Sequence, residues 1–179
     1  MRKLTTPEIQ RLTVEEFRNA DKLPLVVVLD DVRSMYNVGS VFRTCDAFRI
    51  EELCLCGITG TPPHAEIHKT ALGAEESVAW THYPTALEAV RKLQERGFVV
   101  YAVEQAEGST MLQNLRKQDA PMAVVFGNEV KGVHQNVVDA CDGCIEIPQF
   151  GTKHSLNVSV TAGMVIWELA RKTIAPDQD

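Results

Sequence analysis

Residues 25–29, Leu-Val-Val-Val-Leu, are apolar without a break. A strand with one face in water alternates apolar and polar side chains, whereas a strand covered on both faces reads as a continuous apolar run. Pro24 and the Asp30-Asp31 pair bound the run at strand length. Residues 98–103 and 122–126 repeat the pattern strongly, 52–56 and 144–147 more weakly, and 78–82 reads as a short edge segment. Between them lie segments with helix signals. Thr6 and Pro7 open a helix reaching Asn19, and Ser34 or Asn37 caps a second over 38–48. Short pieces follow over 64–70 and 71–77. Pro84 starts a helix that Gly97 ends, 134–140 is a further short helix, and a long one closes the chain. Strands alternating with helices predict an α/β fold with a mainly parallel sheet flanked by helices.

A chain of 179 residues suits one domain and can bury a substantial core. We expect residues 1–22 to form a helical extension to a main domain over 23–179. No run approaches the roughly 18 apolar residues that span a bilayer. Nor does an apolar signal core follow the N-terminal charges, so a soluble, cytoplasmic protein is expected. Cys45, Cys54, Cys56, Cys141 and Cys144 are an odd number of thiols, expected to be free. Cys141-Asp-Gly-Cys144 has the C-x-x-C form, but it closes a helix where redox pairs open one, so buried small hydrophobes are the preferred reading over a zinc site. The five histidines show no metal-ligand spacing, a loop role is favoured for Asp30-Asp31, and no metal is expected.

Ligands of such sheets sit beyond the carboxyl ends of the strands, and three strand-exit segments concentrate glycine and polar residues. These are Asn37-Val-Gly-Ser-Val-Phe-Arg43-Thr44, Phe126-Gly-Asn-Glu-Val-Lys-Gly132, and residues 147–159, Ile-Pro-Gln-Phe-Gly-Thr-Lys-His-Ser-Leu-Asn-Val-Ser. Gly127, Gly132 and Gly151 allow close backbone approach or positive φ. Asp30-Asp31-Val32 stands where a dinucleotide fingerprint would need glycines, and there is no P-loop, which disfavours an ordinary NAD or ATP site.

The three ordered motifs, Asn37-x-Gly39 with Arg43-Thr44, Gly127-Asn-Glu129-x-x-Gly132, and Ile147-Pro148 through Gly151 to Ser155-Leu156-Asn157, resemble those of the SpoU (TrmH-type) ribose methyltransferases of the SPOUT class. The resemblance covers roughly residues 25–172. It implies a C-terminal deep trefoil knot, an S-adenosylmethionine pocket within the knot, and a homodimer with active sites near the subunit interface. It places Gly127, Ile147 and Leu156 at the cofactor, and Arg43, Asn37, Glu129, Ser155 and Asn157 at catalytic and RNA-facing positions. The implied activity is methyl transfer to a ribose 2′-hydroxyl of RNA, with tRNA guanosine favoured and rRNA second. A base methyltransferase and a catalytically idle knotted RNA-binding dimer are the rivals.

Several roles stay open at this level. Arg43 could be the base or a phosphate clamp, the latter being easier for a group with a pKa above ~12. Asn37 and Ser155 could be helix caps as well as site residues, and Glu129 could order Arg43 or a loop. Ser159, Ala162 and Gly163 suggest a face of the last helix pressed against another element, such as a partner subunit. The net charge of −6 argues against a broadly basic RNA-binding surface and leaves a local patch of Arg33, Arg43, Lys131 and Lys153.

Overall fold

The computed structural model describes residues 1–116 and 118–174; the expected domain end at 179 lies outside them. Its seven strands are β1 Leu23–Asp30, β2 Ile50–Cys56, β3 Trp80–Tyr83, β4 Val99–Val103, β5 Thr110–Met111, β6 Met122–Phe126 and β7 Gly143–Glu146. They form one sheet in the order β3-β2-β1-β6-β4-β7-β5, and every pairing is parallel. The helices are α1 Val14–Asn19, α2 Met35–Ala47, α3 Ala65–Ala71, α4 Ala74–Ser77, α5 Ala86–Glu95, α6 Gln135–Val138 and α7 Val158–Ile174.

The apolar run of β1 is covered on both faces. Leu25, Val27 and Leu29 enter a core with Val41 and Phe42 of α2 and Val165 and Ile166 of α7, while Val26 and Val28 enter a second core with Val90 and Leu93 of α5. Residues Val26 to Leu29 have no exposed surface, and each such burial contributes roughly 1.5–3 kcal/mol. Period-2 alternation thus sends successive side chains into different cores, and both must be apolar.

The N-terminal segment differs from expectation. The helix expected over 7–19 is two pieces, a 3₁₀ turn over Thr6–Ile9 and α1. Gln10, at φ 41°, breaks the chain between them. The turn is capped not by Thr6 but by Thr5, and the Thr5 N–H and hydroxyl both donate to Glu8. Thr13 and Glu16 form a capping box that starts α1 anew, with Phe17 buried beneath it. A two-residue strand, β5, escaped the sequence reading because it is too short to carry a period. It matters because β7 inserts between β4 and β5, which are successive in the chain. After β7 the chain runs back through residues 147–157 to α7 on the α2 face. There the buried Lys172 pairs with Glu168 and donates to the Leu115 carbonyl of the β5–β6 connection. Among the described residues no helix is long and apolar enough to cross a membrane.

Candidate active site

The exits of β4, β6 and β7 and the approach to α7 enclose a cleft of about 1000 Å³. Gly127, Glu129, Ile147, Ser155, Leu156 and Asn157 all line it. Its floor is apolar, from Phe126 and Ile145, because the strand ends project core side chains there.

A chain of hydrogen bonds ties three elements together at its edge. The Glu129 carboxylate accepts from the Arg33 and Ser34 amides and from Asn37 Nδ2, each at 3.0 Å. Asn37 Oδ1 in turn accepts from Asn157 Nδ2 at 3.2 Å. Asn157 Oδ1 accepts from the Ser159 amide at 2.9 Å and from the Ser159 hydroxyl, which makes Asn157 the cap of α7. Ser34, whose hydroxyl accepts from the Asn37 amide, caps α2. Asn37 is therefore inside its helix and Ser155 precedes its helix by three residues, so neither is a cap. Burial alone would raise the Glu129 carboxyl, but the Arg33 and Ser34 amides and Asn37 together hold it below its ordinary value. A carboxylate satisfied by three donors is a brace for the 127–132 loop. Abstracting a proton is a poor role for it.

That loop is a narrow hairpin with reciprocal backbone bonds between Asn128 and Gly132. A Cβ on Gly127 would lie 2.0 Å from the Gly132 carbonyl carbon and the Val133 nitrogen, and Gly132 has φ 69°. Gly151, by contrast, has open space around it and no positive φ. Gly39 is a packing residue, since its Cβ would lie 2.3 Å from the Ile67 carbonyl oxygen of α3.

Arg43 stands apart. It is exposed on α2, six residues beyond Asn37, which is about 120° around the helix, and it does not line the cleft. Lys131 lines the cleft, and the Arg33 amide holds Glu129. Glu104 and Gln105, outside the three motifs, also belong to the site. The Glu104 carboxylate accepts from the Gln105 and Val133 amides, and Gln105 Nε2 donates to the His154 carbonyl at 2.6 Å across the cleft. Their position at the carboxyl end of β4 was the available signal.

Two further groups lie outside the cleft chemistry. Contrary to the spacing argument, His134 meets Asp30 and Asp31, with ligand atoms within 4.8 Å of one another. Asp30 accepts from the His134 amide and lies 2.9 Å from its Nδ1, and Asp31 accepts from the Ile58 amide, so the carboxylates already hold loops in place. The five cysteines are free. Burial pushes the Cys141 thiol up to about 12, and Cys144 donates to the Glu104 carbonyl, which suits packing residues better than thiolate ligands.

The SpoU rRNA Methylase family model matches residues 24–167. A tRNA (guanosine(18)-2'-O)-methyltransferase of Thermus thermophilus is 35% identical over 169 residues, covering 93% of this chain and 84% of that protein. A 23S rRNA (guanosine-2'-O-)-methyltransferase of Neisseria meningitidis is 31% identical over 160 residues, covering 89% of this chain and only 63% of its own length. Among solved structures, the A. aeolicus TrmH/SpoU tRNA modifying enzyme superposes with a TM-score of 0.79 at 26% identity, covering 90% of this chain and 82% of that one. An AdoMet-bound rRNA methyltransferase from Sinorhizobium meliloti gives the same score and identity, covering 89% and 60%.

Proposed function

The chain belongs to the SpoU rRNA methylase family, and on that premise we propose that it methylates a ribose 2′-hydroxyl of RNA with S-adenosylmethionine, tRNA guanosine being favoured over rRNA. The observation that carries this is the bonded series Asn157–Asn37–Glu129, which locks all three motifs to one edge of the cleft. The cleft's size suits a nucleoside-sized ligand, and its floor of Phe126 and Ile145 with flanking backbone suits an adenosyl group. Gly127, Ile147 and Leu156 would hold that ligand. Bound there, it supplies a methyl group made electrophilic by its sulfonium.

The protein's own task is to hold the hydroxyl in line with that methyl and to let its proton leave. Fixed orientation supplies on the order of 7–11 kcal/mol in the best intramolecular cases. Ser155 lines the cleft and its hydroxyl can donate to ribose or phosphate. Asn157 Nδ2 carries two hydrogens, one of which Asn37 takes, so Asn157 positions the loop and can still touch substrate. Glu129 and Asn37 are positioning residues. A general base must come within about 2.6–3.2 Å of its proton, and Arg43, off the cleft wall, fits a phosphate clamp better.

We place the active form as a homodimer in the cytoplasm. The support is a face of α7 with Val160, Met164 and Trp167 all between 44% and 54% exposed at i, i+4 and i+7. Of the small residues expected to press against another element, Ala162 does so within the chain's own core, where it is buried. The deep knot is supported by the insertion of β7 between β4 and β5 and by the Lys172–Leu115 bond. Residues 1–22 act as an extension of the unit from residue 23 onward, tied on by Arg18 bonding to the Glu76 carbonyl. The test is incubation with methyl-labelled S-adenosylmethionine and total RNA followed by nuclease mapping. Label is expected in a 2′-O-methyl nucleotide; label in a base or in protein alone, or none in RNA, would overturn the reading.

A further inference from the structure

Phe150 is 95% exposed, more than any other aromatic residue described; Tyr36 and Trp167 follow at 45% and 54%. It sits in the loop between β7 and α7, where Gln149 before it and His154 to Val158 after it line the cleft. Chain continuity therefore puts the ring on the cleft rim. The loop is held at both sides of it, by Glu146 at the end of β7, whose carboxylate accepts from the Ser109 hydroxyl, and by the Gln105 side chain bonded to the His154 carbonyl. Burying a phenylalanine is worth about as much as burying a leucine or a methionine, so a ring held out in water on a braced rim is unfavourable unless something covers it. Nothing in the catalytic arrangement described above uses it.

We propose that Phe150 is the platform on which an unpaired base of the substrate RNA stacks as its ribose enters the cleft. This rests on the RNA-methylation reading above. A ribose can reach a cleft bounded by three loops only if its nucleotide leaves the helical stack, and the base then loses its stacking neighbours. An aromatic ring replaces them whatever the base, because every base has a π face. The rim also carries Lys131 and Lys153, both exposed, which suit the phosphates on either side of a splayed nucleotide and do not suit an apolar protein partner. Val130, 77% exposed on the 127–132 loop, also lines the cleft and offers the base a second apolar surface.

The experiment compares Phe150→Ala, Phe150→Leu and Phe150→Trp with the wild type on the RNA fraction that the wild type labels. Loss of base stacking predicts that KM for RNA rises by about fivefold to 150-fold in the alanine and leucine variants, with the tryptophan variant close to wild type. The turnover at saturating RNA, the affinity for S-adenosylmethionine and the solution mass should be unchanged in all three. An unchanged KM in Phe150→Ala, a leucine variant as good as the wild type, weakened cofactor binding, or an altered solution mass would each overturn the stacking role. A wild type that labels no RNA would instead defeat the functional reading on which it rests.

Discussion

Asn157 divides its side chain between two elements, and that division can be tested directly. Its oxygen caps α7 and its nitrogen holds Asn37. Asn157→Asp keeps the cap, which suits a helix N-terminus, and sets two oxygens against each other at Asn37. Thermal stability should stay near wild type while turnover falls by about tenfold or more, as expected for loss of a bond of about 1.4 kcal/mol that aligns the site. Turnover unchanged in this cap-retaining variant would show that the cap is its whole role. Glu129 behaves differently, because its carboxylate is shifted below its ordinary value of 4.5. A lowered folded pKa contributes stability that is complete above the unfolded value and is lost as pH falls through the folded one. Glu129→Gln should therefore destabilise by about 1 kcal/mol or less, given the group's exposure, equally at pH of about 6 and 8. The gap from wild type should close as pH drops below about 4.5, which denaturant titrations at several pH values would read. Arg43→Ala should remove most turnover and leave S-adenosylmethionine affinity intact, by calorimetry, since the residue does not line the cleft.

At the scale of elements, the hairpin over residues 127–132 depends on the absence of a side chain. A methyl group on Gly127 would meet Gly132 and Val133 backbone at 2.0 Å, atoms that cannot swing aside. Gly127→Ala should open the hairpin, weaken S-adenosylmethionine binding at least tenfold by calorimetry, and cost roughly 1–3 kcal/mol, the range seen for overpacking. The motif glycines are thus not equivalent. Gly39 seats α2 on α3, Gly132 supplies a positive φ, and Gly151 shows neither need. Sequence allowed each of the loop glycines close backbone approach or a positive φ without deciding between them, because composition cannot distinguish a glycine required by packing from one required by conformation. The N-terminal helix failed for a related reason. Ile9, Leu12, Val14 and Phe17 fit a partial apolar stripe, but Gln10 at φ 41° breaks it and only Phe17 is buried. Periodicity says which residues could share a face, and the neighbouring surface decides whether that face exists.

For the whole molecule, the apolar face of α7 and the charge of the chain are the properties to test. Val160, Met164 and Trp167 form an exposed stripe on α7, whose buried face packs against α2, and Trp167 meets Phe48, just past the end of α2, at 5.8 Å between ring centroids. If that stripe joins two copies, Trp167→Glu should shift the mass in sedimentation from about twice the 19.8 kDa chain toward the single chain, and turnover should fall with it. A wild type that sediments as a single chain would remove the dimer. The sheet itself was legible in the chain, because a strand covered on both faces must be apolar throughout, and helix signals between such runs leave a parallel sheet as the economical arrangement. The three motif loops were legible as site-forming because polar residues and glycines gathered at strand exits have few other reasons to be there. What the sequence could not supply was the pairing across the molecule. Glu129 reaches Asn37 over 92 positions and Asn157 reaches Asn37 over 120. Contacts at such separations leave no period in the chain. Only the insertion of β7 between β4 and β5, and the return of α7 beneath them, brings the three loops to one edge and turns possible caps and charges into a braced site.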